Sequence, residues 1–155
     1  MTRYTPEEGM RLATAAHEVA HAVACKAAAR STAGRLTVRS ARLLAVGGVV
    51  EVADVDLDNP EQVETALVVA LAEREGSARW VQRNAGLGRG QAIRWASGGC
   101  GWDLDYFRAN KRLCPRSTGW LQNRARSVVA AHWGRIDRLA HKLADAGRLS
   151  GGHFN

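Results

Sequence analysis

The chain has 155 residues, 46% of them hydrophobic, which is one domain's length with apolar material for an ordinary core. The balance of 22 Lys and Arg against 15 Asp and Glu gives +7. The excess is mostly arginine scattered along the chain, with no dense basic run and no nucleic-acid motif, so charge alone argues only a loose attraction to acidic partners. Cys25, Cys100 and Cys114 are odd in number and irregular in spacing, a poor disulfide framework. The start, MTRYTPEEGM, has no apolar signal core, and no window approaches the roughly 18 apolar residues of a membrane span. A cytoplasmic protein with reduced thiols and no membrane segment is the expectation.

Thr5, Pro6 and Glu8 form a helix-start signature: a capping threonine, proline at the first position and the glutamate of a capping box. Leu12, Ala16, Val19, Ala20, Val23 and Ala27 then recur at three- and four-residue steps, predicting one long helix to about Arg30. After Gly34, RLTVRS and LLAVGGVVEV are rich in β-branched residues and predict two or three short strands, as a hairpin. Asn59-Pro60 opens a second helix with its stripe at Val63, Ala66, Leu67, Ala70, Leu71, Ala78 and Val81. Residues 84 to 101 hold six glycines and read as a shaped loop. WDLDYFRANKRL predicts a short helix stopped by Pro115, and Ser117 caps a last long helix ending at Gly147. The fold class is α+β, mainly α: a long first helix, a small β-sheet or hairpin and a helical C-terminal half, in one domain over 1–155.

Within the first helix, AAHEVAHAVA places His17 and His21 four apart, with Glu18 directly after His17. Positions i and i+4 share one helix face, so both imidazoles can aim at one point, and zinc accepts neutral imidazole nitrogen. Zinc lowers the pKa of a bound water, Glu18 can take its proton as general base, and the resulting hydroxide can attack a peptide carbonyl. H-E-x-x-H is the spacing that this chemistry needs. The alternative, a pair of core histidines packed without metal, would desolvate three polar groups among small apolar residues. Catalytic zinc usually takes a third protein ligand, and His132, His141, His153, Cys100, Asp103 and Asp105 are the candidates. Spacing does not choose among them. Trp80, Trp95, Trp102, Trp120 and Trp133 suit core packing or a binding patch near the zinc. Arg94 and Arg108 lie near the site in sequence and can support an oxyanion or stay solvated.

The order of these segments resembles the peptidase domain of the FtsH-type (AAA) ATP-dependent zinc metalloproteases. That family opens with a helix bearing H-E-x-G-H-A, and AAHEVAHAVA is similar, with Val19-Ala20 where Ala-Gly is usual. A short β segment follows, then a helix like L-A-G-R-A-A-E, here LAEREGSARW. A glycine-rich turn running into Asp-Leu is similar to GGCGWDL, and LADAGRLSG is similar to the family's close. The resemblance covers roughly Thr5 to Gly151. It implies a zinc-dependent metalloendopeptidase in which His17, His21 and Asp103 hold Zn2+ and Glu18 is the base. It implies a protein or peptide substrate, a separate ATPase or adaptor partner and a homo-oligomer. The departures are the missing G-x-x-x-x-G-K-[ST] motif of an ATPase, and Ser77 near where the family has a glutamate after its paired alanines. The alternatives are a catalytically inactive zinc-binding interaction or regulatory module, a basic nucleic-acid-associated protein, and Cys100 in place of Asp103 as a thiolate ligand.

Overall fold

The computed structural model describes residues 3–155. Among them it is mainly helical, with six α-helices and a three-stranded antiparallel sheet. Helix α1 spans Pro6–Ala27, and the capping box is present on both sides: Glu8 N donates to Thr5 Oγ1 at 3.2 Å and Thr5 N donates to Glu8 Oε2 at 2.8 Å. Strand β1 (Val38–Leu43) pairs with β2 (Gly48–Val52) across a turn at 44–47, where Gly47 has φ of 76°. LLAVGGVVEV is thus split by that turn, and the first strand runs on past RLTVRS. Helix α2 covers Pro60–Ala85, with Asn59 Oδ1 accepting from the amides of Glu61 and Gln62.

The glycine-rich segment departs from expectation. Residues Arg89–Ser97 form helix α3, because its glycines fall at the ends and Ala92 and Ala96 give it a buried face. A bidentate pair of Arg89 with Glu75, at 2.8 and 3.0 Å, ties it to α2. Helix α4 follows at Gly101–Asn110. The predicted last long helix is two, α5 (Thr118–Ala131) and α6 (Trp133–Ala146), broken at His132. Beyond it, Arg148–Ser150 is strand β3, which no alternation announced. It pairs antiparallel with β1, so the sheet order is β2-β1-β3 and β2 is an edge. No helix among the described residues is long and apolar enough to cross a membrane.

The core lies where α1 crosses α2, with α6, α5 and the sheet closing around it. Its large members include Leu67, Leu121, Ile136, Leu143 and Phe154, all inaccessible, each contributing about 1.5–3 kcal/mol by burial. One contact sets the spacing of the two long helices. A Cβ at Gly76 would stand 2.7 Å from the Ala16 carbonyl oxygen and closer still to the Ala20 methyl. Hydrogen at 76 and methyl groups at 16 and 20 are therefore what allow the backbones to approach. Gly76→Ala should destabilise the fold by about 1–3 kcal/mol in urea unfolding, despite alanine's better helix propensity, because the added methyl overpacks the crossing.

Candidate metal centre

The residues flanking that contact carry the polar chemistry. His17 and His21 each follow one of the contacting alanines, and Glu73 lies three residues before Gly76 on the facing helix. Glu73 Oε2 stands 3.1 Å from His17 Nε2 and 3.1 Å from His21 Nδ1. Its side chain is 2% exposed, and Oε1 has no hydrogen-bond partner among the described residues. A carboxylate so placed costs several kcal/mol unless positive charge compensates it. Asp103 comes from the first turn of α4, an end that favours negative charge. His17, Glu73 and Asp103 each offer a ligand atom within 4.8 Å of the others, a group able to hold a metal ion. The orphaned Oε1 and the mixed nitrogen and oxygen donors fit a divalent cation.

Of the predicted residues, the structure brings His17 and Asp103 into this group, and His21 reaches it through the shared Glu73 oxygen. Glu18 is buried and lines the same cleft. It is covered by β2 at Gly48, where a Cβ would lie 2.6 Å from Glu18 Cγ and 2.8 Å from Oε1. Glycine there lets the edge strand run over the carboxylate. Glu73 is the residue that sequence reasoning missed. It stands one helical turn before Ser77, on the same face, and both line the cleft. A glutamate closing the buried run that begins at Thr65 was the available signal.

The other candidates lie elsewhere. Asp105 is exposed and pairs with Arg108 at 3.3 Å. His141 Nε2 meets the Tyr4 hydroxyl at 3.2 Å, His153 bonds to Ser150, and His132 stands at the α5–α6 break. Cys100 Sγ is 3.9 Å from His17 Nδ1, the ring nitrogen turned away from Glu73. Neither Arg94 nor Arg108 lines the cleft. The tryptophans divide: Trp80 and Trp133 are buried, whereas Trp95 and Trp102 are exposed and line the cleft, whose volume is about 680 Å³.

Protonation follows from this crowding. Burial opposes charge on His17, but hydrogen bonds with Cys100 and Glu73 and the nearby carboxylates overcome it and raise the imidazole to about 10. His21 is likewise raised, against burial, by Cys25 and Glu73. Burial alone would lift Glu73; hydrogen bonds from His17, His21 and Asp103 hold it well below the usual carboxylate range. Asp103 is pushed up to about 8 by burial and by Glu73. Glu18 is raised by burial, with the histidines pulling the other way. Without metal, the cluster gathers protons.

No protein-family model matches the chain, and no curated protein matches it.

A cation must displace those protons. At pH 7, zinc binding by His17, Glu73 and Asp103 should release about two protons, and about three if His21 also ligates. Calorimetry in buffers of different ionisation enthalpy counts them. Since the His17 and Asp103 pKa values are raised, protons compete below them, so zinc affinity should strengthen as pH rises from 7 towards 10. Binding with no proton release would place the metal outside this cluster.

Proposed function

We propose that the chain is a zinc-dependent metalloendopeptidase domain of the FtsH-like kind, acting on protein or peptide substrates. The observation that carries this reading is the convergence of His17, Glu73 and Asp103 on one point, with His21 on the same carboxylate and Glu18 beside them in an open cleft. Zinc, when bound, polarises a carbonyl oxygen and acidifies water. Three donors would hold it and leave one position open for water: His17 and Asp103, with Glu73 or His21 as the third.

Glu18 serves as the base. Burial raises its pKa above the ordinary carboxylate value, which strengthens it as a proton acceptor. Gly48, with no side chain, lets the edge strand pass close over its carboxylate. Gly48, Val49 and Val50 of β2 also line the cleft, and among the described residues β2 has no partner on its outer edge. An extended peptide can therefore add to that edge by main-chain hydrogen bonds. Met10, Val46, Trp95 and Trp102 line the same cleft and are 55%, 90%, 41% and 91% exposed, an apolar border suited to unfolded segments. A separate ATPase or adaptor would deliver such segments.

Purified protein should contain zinc and cleave casein, with cleavage abolished by chelator. Glu18→Gln should retain zinc and lose at least about 100-fold in rate, the scale of a general base. Full activity in that variant would refute the mechanism. Zinc binding with no hydrolysis by the wild type would instead identify a zinc-binding interaction module.

A further inference from the structure

We propose that Cys100 is a positioning residue that fixes which nitrogen of His17 faces the metal group. The inference rests on the proposed metal site but is carried by a separate geometry. Cys100 is fully buried, and its thiol has one proton. That proton is committed: Sγ donates to the Ala96 carbonyl oxygen at 3.2 Å. Towards His17 Nδ1, 3.9 Å away, the sulfur can then act only as acceptor. Nδ1 therefore carries a hydrogen, and Nε2, which points to Glu73 Oε2, is the nitrogen left to supply a lone pair to a cation.

Metal-bound histidines generally donate their second ring N–H to an outer partner that orients the ring. Carboxylates, carbonyls and water fill that role; here a buried thiol does so. Its place in the chain adds a second consequence. Cys100 is the residue before α4, and its carbonyl accepts from Leu104 N at 3.0 Å. Asp103 stands in that first turn. The thiol thus links the orientation of the α1 ligand to the start of the helix that brings the acidic one.

Cys100→Ala and Cys100→Ser test this. Serine keeps one proton and an acceptor oxygen and can restore both contacts after a local shift, its C–O bond being shorter than C–S; alanine can restore neither. Zinc affinity, measured by chelator competition, should fall about 10–100-fold in Cys100→Ala and recover most of that loss in Cys100→Ser. A packing role predicts the reverse order, because alanine brings no polar group into a buried site. In 15N-labelled protein, the His17 Nδ1–H resonance should be protected in wild type and Cys100→Ser and lost in Cys100→Ala. Wild-type affinity in Cys100→Ala, or alanine binding zinc better than serine, would overturn the proposal. If the wild type takes up no zinc, the metal reading fails separately, and slower solvent exchange of the His17 Nδ1–H in the metal-free wild type than in metal-free Cys100→Ala still decides the role of Cys100.

Discussion

The close crossing of α1 and α2 is the constraint on which the rest depends. Two helices normally keep 8–10 Å between their axes, set by the side chains at the contact. Here the contact is made by Ala16, Ala20 and Gly76, all small residues. The short approach lets a glutamate on α2, with only a short side chain to extend, place one oxygen 3.1 Å from both histidines of α1. The alanine-rich composition of the first helix is thus more than helix propensity. Larger residues at 16 and 20 would leave Glu73 a buried charge out of reach of its partners. The packing that stabilises the fold and the geometry that assembles the polar cluster are one arrangement.

Much of this was legible in the sequence, and the parts that were not share a physical cause. Thr5, Pro6 and Glu8 specify a helix start through local hydrogen bonds, and the structure has them. His17 and His21 share a face because helix periodicity requires it. Local rules, however, do not report a tertiary meeting. Glu73 is 52 residues from His21, with no spacing motif to join them. Its position was hidden by the expectation that a glutamate belongs near Ser77, one turn later on the same face. Helix α3 was obscured because glycines at 88, 90, 98 and 99 dominate the local composition, whereas Ala92, Ala96 and the Arg89–Glu75 pair decide the conformation. Strand β3 is three residues long and exists because β1 offers it an edge.

The placement of Asp103 shows how several weak local features combine. Glu75 on α2 holds Arg89 at the start of α3, and α3 buries Ala92 and Ala96. The turn at Gly98-Gly99 then starts α4 against the cluster. Two glutamates two residues apart on α2 therefore do different work. Glu75 anchors the segment that delivers Asp103, and Glu73 meets Asp103 when it arrives. Neither role follows from the glutamates alone.

Charge gives the last step. The chain is +7 overall, yet its cleft gathers Glu18, Glu73 and Asp103 with two imidazoles. Three carboxylates this close, with Glu18 and Glu73 buried, cannot all stay ionised without nearby positive charge. In the metal-free protein, raised imidazole and Asp103 pKa values supply it as protons. A divalent ion would do so more economically: its two charges match the carboxylates of Glu73 and Asp103, and the histidines become neutral donors. Glu18 would then be the one carboxylate left over, held under Gly48 with its proton affinity raised by burial. A fixed pair of acids for the metal and a third acid free to exchange a proton is the division of labour that hydrolysis by this proposed site requires.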